Sequence, residues 1–162
     1  MLDELHEECG VIGIYNGDTV VRNITMGLYA LQHRGQESAG FAVTDGDKIR
    51  VRKFMGLVST LLREHNIDEF DGFAGIGHVR YSTTGASTLA NAQPILVSCK
   101  WGQIAVAHNG NITNANELRA EMEADGHIFQ TTSDSEILLH ESARTEASDL
   151  GEAIKKAITK FT

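Results

Sequence analysis

The sequence predicts an α+β fold built on mainly antiparallel sheets. Three observations carry that expectation. Two pairs of apolar runs are joined by short turns, one at 38–54 and one at 95–108. Helical segments interleave with them irregularly, unlike the strict alternation of a parallel α/β sheet. The 162 residues also contain no repeat, low-complexity tract or internal linker, so one domain accounts for them.

Each element follows from its local pattern. Gly10–Tyr15 is apolar and glycine-punctuated, as in a buried strand, and Asn16-Gly17-Asp18 is a turn. A helix is predicted from Thr19 to Gln32, because Val21, Ile24, Leu28 and Leu31 share one face; Gly35 closes it. Ser38–Thr44 and Lys48–Phe54 flank Asp45-Gly46, a pair suited to a tight primed turn. Leu57–His65 reads as a short helix. Gly72–Tyr81 is a strand containing Gly72, Gly75 and Gly77. Ser82–Pro94 is a polar, small-residue loop long enough to carry function. Ile95–Cys99 and Ile104–His108 bracket Trp101-Gly102 as a second hairpin. The loop Asn109–Thr113 leads into a helix at Asn114–Ala124, with Asn114 and Glu117 spaced as a capping box and Gly126 as its stop. Ser133 and Glu136 repeat that spacing before Ile137–Ala143. Ser148 and Asp149 start a last helix that runs uncapped to Thr162, which predicts a fold truncated at its C-terminus.

Composition excludes several function classes. The chain is 41% hydrophobic and 22% charged, ordinary for a globular domain. Its net charge is −8 and no Lys/Arg run stands out, which argues against nucleic-acid and anionic-membrane binding. No apolar stretch is long enough to span a bilayer. Met1–Glu8 is acidic and lacks the apolar centre of a signal peptide, so the expected compartment is the cytoplasm. Two cysteines, Cys9 and Cys99, are too few for a disulfide framework; Cys99 is assigned to core or hairpin packing. The seven histidines form no metal-binding motif, and no metal site is expected.

The chemistry gathers at four polar segments and one cysteine. Taken alone, Cys9 opening an apolar strand reads as a small buried hydrophobe. At a mature N-terminus it would instead combine a thiol nucleophile with its own α-amine as base, since a free α-amine has a pKa of roughly 8. That chemistry requires Met1–Glu8 to be a propeptide, because an amide nitrogen is not a base. Gln32–Gly40 is a polar run between apolar elements. Gly77–Gly85 puts Arg80 at the end of a glycine-rich strand, where a guanidinium can grip a carboxylate or form a structural ion pair. Asn109-Gly110 after an apolar strand is a turn, and it can also supply two oxyanion donors. Asp134, in Thr131–Glu136, is placed to bind an ammonium group. Arginine and aspartate suit the two charged ends of an amino acid. A thiol with oxyanion donors suits attack on an amide, so the substrate is glutamine or asparagine. His78 and His108 lie beside these motifs and read as loop-orienting residues.

In order along the chain, Cys9–Ile14, Leu31–Gly40, Gly77–Thr83, Asn91–Pro94, His108–Asn111 and Thr132–Glu136 resemble the glutaminase domain of the amidophosphoribosyltransferase family, within the class II glutamine amidotransferases. The resemblance covers nearly everything from Cys9 to the end, and the 31–40 segment is its most specific part. It implies an N-terminal nucleophile hydrolase fold, a four-layer αββα sandwich with two antiparallel sheets. Residues 1–8 would be the propeptide and 9–162 an incomplete glutaminase domain; the phosphoribosyltransferase domain is absent from this chain. By resemblance Cys9 is the nucleophile, Asn109 and Gly110 form the oxyanion hole, Arg80 and Thr83 hold the glutamine carboxylate, and Asp134 holds its amino group. Arg34 and Tyr81 help close the glutamine loop. The implied reaction releases ammonia from L-glutamine through a Cys9 thioester and passes it to phosphoribosyl pyrophosphate, giving phosphoribosylamine, the first step of purine biosynthesis. No cofactor is expected in this chain; the parent enzyme would use Mg2+ and, in the propeptide branch, often an iron–sulfur cluster, and would be a homo-oligomer.

Two other readings stay open on sequence. One is another class II amidotransferase, of the glucosamine-6-phosphate or glutamate synthase type, against which the 32–40 segment argues. The other is an unprocessed, inactive domain serving only as a structural module.

Overall fold

In a computed structural model of the chain, residues 9–64, 66–81 and 87–162 are described. The predicted propeptide, His65 and Thr83 therefore lie outside the described residues. Strands β1 (Gly10–Tyr15), β2 (Ser38–Thr44), β3 (Ile49–Met55) and β4 (Ala74–Arg80) form one antiparallel sheet, in the order β1-β4-β2-β3. The β2–β3 hairpin is legible in the sequence, but the central place of β4 is not. Helix α1 (Val20–Leu31) covers one face of this sheet with Val20, Val21, Ile24 and Leu28, all nearly or fully buried. Burying each such side chain contributes about 1.5–3 kcal/mol. The glycines of β4 let α1 come close, since a Cβ on Gly77 would stand 2.6 Å from Ile24 Cγ2. Helix α2 (Val58–Glu64) adds Val58 and Leu61 to the same core.

Strands β5 (Ile95–Cys99) and β6 (Gly102–Val106) make a second, two-stranded antiparallel sheet. It meets the large sheet along β3, where Gln103 Oε1 accepts from the Ile49 N–H at 2.7 Å. Helices α3 (Ala115–Ala124), α4 (Ser135–Arg144) and α5 (Leu150–Ile158) complete the fold. Leu139 of α4 and Leu150 of α5 pack with Ile95 and Ile104 of the hairpin, while α3 joins α4 through Leu118, Met122 and Ile137. The spatial order is thus helix, sheet, sheet, helix, the layering that the family resemblance implies. Fully buried Glu141 ties three helices together. It accepts from Arg144 Nε at 2.8 Å and pairs with Lys160 beyond α5, and Arg144 reaches on to Glu121 and Asp125 of the α3 end.

Four local expectations are corrected. The first hairpin closes on residues 45–48 rather than two, because Asp45 Oδ1 accepts from the N–H groups of both Asp47 and Lys48. Asn114 makes no cap; its side chain instead holds the backbone of Lys160 and Thr162. Glu136 does not reach back to Ser133: its buried carboxylate accepts from Gln130 N, Thr131 N and Thr131 Oγ1. The last helix does not run to the final residue but ends at Ile158, started by Asp149, whose side chain accepts from Glu152 N.

Candidate active site

The sheet register builds the site. Gly10 pairs with Val79 and Ser38 with Arg80, so the start of β1, the end of β4 and the start of β2 lie side by side. Cys9, one residue before β1, is half-buried at that edge. Its Sγ stands 3.5 Å from the Tyr81 N–H and 3.6 Å from the Tyr81 carbonyl oxygen. Two side chains converge on the Cys9 carbonyl oxygen: Asn109 Nδ2 donates at 2.8 Å and Arg34 Nε at 3.4 Å. Residues far apart in the chain are thereby fastened to the same peptide.

A cleft of about 440 Å³ opens in front of the thiol. Cys9, Arg80, Tyr81, Gly110 and Asp134 all line it. Arg80 is 7% exposed, and its Nη1 donates to Glu37 Oε1 at 2.6 Å. This ion pair fixes the guanidinium at the cleft wall; a buried pair of this kind serves geometry more than net stability. The Arg80 backbone is held as well, because Glu37 N donates to Arg80 O and Gly35 lies against the same peptide, where a Cβ would come within 2.7 Å. Asp134 sits at the start of α4 with Oδ2 accepting from the Ile112 N–H at 2.9 Å.

Of the eight sequence-predicted site residues, the structure brings seven around Cys9 or its cleft, and Thr83 lies outside the described residues. The Asn109 amide is engaged by the Cys9 carbonyl rather than pointing only at the cleft; its NH2 carries a second hydrogen for another acceptor.

Sequence reasoning gave no role to Glu37, Gln93, Arg119 or Ser135. Arg119 lines the cleft and holds the 131–133 loop by donating to the carbonyls of Thr131 and Ser133. A single arginine on a polar helix face carries no signal that would single it out. His78 is fully buried and its Nε2–H donates to His108 O at 3.2 Å. Burial pushes its imidazole down from 6.5 to about 4, with the Arg80 charge adding to the effect, so the ring is neutral at pH 7. It is thus an orienting group, as expected for a loop-holding histidine. Among the described residues no group of three or more His, Cys, Asp or Glu side chains could hold a metal ion.

A thiol, an arginine, a carboxylate and a glycine turn line one cleft. Residues 66–154 match the family described as "Glutamine amidotransferase domain". The chain belongs to that family. The amidotransferase domain is 46% identical over 157 residues to an amidophosphoribosyltransferase of Methanocaldococcus jannaschii, covering 94% of this chain and 33% of that protein. It is 47% identical over 158 residues to the amidophosphoribosyltransferase of Synechococcus elongatus, covering 96% and 32%. Among solved structures it matches glutamine phosphoribosylpyrophosphate amidotransferase from B. subtilis, complexed with ADP and GMP, with a TM-score of 0.87 and 38% identity over 94% of this chain and 33% of that one. The amidotransferase domain therefore spans about a third of the length of these relatives.

Proposed function

We propose that this domain hydrolyses L-glutamine to glutamate and ammonia through a Cys9 thioester, after removal of Met1–Glu8. The observation that carries the reading is the convergence of Cys9, Arg80, Gly110 and Asp134 on one cleft. The α-amine freed on Cys9 takes the thiol proton as Sγ attacks the side-chain carboxamide carbon. The Asn109 amide and the Gly110 N–H receive the developing oxyanion. Arg80, with Thr83, holds the α-carboxylate, and Asp134 holds the α-ammonium. The ammonium formed on Cys9 returns its proton to the leaving nitrogen, ammonia departs, and water then splits the thioester. Arg34 supports the nucleophile through its carbonyl and Tyr81 through its main chain.

In the full-length protein the ammonia would pass to phosphoribosyl pyrophosphate on a phosphoribosyltransferase domain, forming phosphoribosylamine in purine biosynthesis. The similarity to amidophosphoribosyltransferases supports this. We assign Mg2+ and any iron–sulfur cluster to that further length; among the described residues no group of three or more His, Cys, Asp or Glu side chains could hold a metal ion. We place the protein in the cytoplasm as a homo-oligomer.

Intact mass and N-terminal sequencing, followed by glutamate release from glutamine, test the reading. A mature chain starting at Cys9 with glutaminase activity that Cys9→Ala abolishes is expected. Activity surviving Cys9→Ala, or full activity with Met1–Glu8 still attached, would overturn the mechanism.

A further inference from the structure

Gln93 lines the cleft, is 6% exposed, and has no part in the chemistry above. Its Oε1 accepts from the His108 N–H at 2.7 Å, and its Nε2 donates to Ser135 Oγ at 3.1 Å. The orientation of the amide is forced. A backbone N–H only donates, so the oxygen must face His108 and the NH2 must face Ser135. Ser135 Oγ then has one proton to give, and the charged acceptor beside it is Asp134 Oδ1 at 3.3 Å. His108 Nδ1, 3.2 Å from the same Oγ, is left to donate its own hydrogen. Asp134 Oδ2 closes the circuit by accepting from the Ile112 N–H. The His108 peptide is gripped on both sides, its N–H by Gln93 and its carbonyl by His78. Asn109 and Gly110 follow it directly in the chain.

We infer that Gln93 is a positioning residue: it fixes the Asn109–Gly110 donors relative to the Asp134 carboxylate, and so couples the amide end of the substrate site to its ammonium end. The inference rests on the glutaminase reading. A strut is needed because a misplacement of about 1 Å in a catalytic group can cost roughly a hundredfold in rate. The donors lie on a turn after β6 and Asp134 at the start of α4, so their spacing depends on the side chains that bridge the two segments.

Gln93→Leu removes both hydrogen bonds and nearly keeps the volume. Gln93→Glu keeps an acceptor for the His108 N–H but turns the Ser135 proton away from Asp134, toward the new carboxylate. The full-length protein should be assayed with each variant, and reactive Cys9 counted by iodoacetamide labelling read at the Cys9 peptide. That small electrophile needs neither the oxyanion donors nor Asp134. We expect Gln93→Leu to lower kcat per labelled thiol by about tenfold or more. Gln93→Glu should chiefly raise KM for glutamine. Hydrogen exchange should speed up across residues 108–112 in Gln93→Leu while α1 stays protected. A merely structural role would reduce the number of reactive thiols and leave kcat per thiol and KM at wild-type values. That result in both variants, or unchanged protection at 108–112, overturns the inference. A wild-type protein that releases no glutamate overturns the glutaminase reading, while the exchange measurement still decides the strut.

Discussion

Replacing His78 by glutamine should remove a pH-dependent loss of stability while keeping the bond to His108. The imidazole is fully buried and its pKa falls from an ordinary 6.5 to about 4. Unfolded, it takes a proton as pH drops below 6.5; folded, it resists until about 4. The unfolded state therefore binds more protons in that window, and stability falls as pH falls through it. The whole interval corresponds to ~3 kcal/mol, of which about 2 kcal/mol is lost already by pH 5. A glutamine amide in place of the imidazole donates to the same carbonyl without ever charging, so His78→Gln keeps the bond and loses the titration.

The assay is urea denaturation followed by the fluorescence of Trp101, the single tryptophan of the 162 residues, at pH 7.5 and pH 5. Groups common to both proteins cancel in the comparison. The wild type should lose about 2 kcal/mol more than His78→Gln between the two pH values. Parallel losses, within about 0.5 kcal/mol, would refute the claim that His78 is buried neutral.

Three further outcomes follow from the geometry. On the proposed mechanism, Asn109→Ala should lower kcat for glutamine hydrolysis by about a hundredfold or more, as expected for loss of one oxyanion donor, and steady-state kinetics would show it. Gly35→Ala should destabilise the fold by about 1–3 kcal/mol in urea unfolding and raise KM for glutamine, because its Cβ would stand 2.7 Å from the Arg80 carbonyl carbon, which is backbone and cannot swing aside. Glu141→Gln should cost about 2 kcal/mol in thermal or urea unfolding; its partners Arg144 and Lys160 are partly exposed and regain water, which limits the loss.

Local pattern made much of this molecule legible. The stripe of Val21, Ile24 and Leu28 announced α1, and the two apolar pairs announced the hairpins, because side-chain periodicity follows directly from helix and strand geometry. The candidate site residues were picked out for a different reason: their chemical types, in order, resemble a known family pattern, and the structure places seven of them around Cys9 or its cleft. Caps and turns were less legible. Asn114 and Ser133 stand at cap-like spacings, yet the tertiary structure gave Asn114 to the 160–162 backbone and the Glu136 carboxylate to the 130–131 loop, where each satisfies otherwise unpaired groups.

The sequence by itself determined most of the helical and strand segments, and it supplied the thiol, the guanidinium and the carboxylate to which the proposed roles are given. Only the tertiary structure decided that β4 lies between β1 and β2, which sets Cys9 beside Arg80, that Glu37 pairs with Arg80, and that Gln93 bonds to both His108 and Ser135. The physical reason is that strand order and polar partnership depend on contacts between residues distant in the chain, and a spacing rule sees only neighbours.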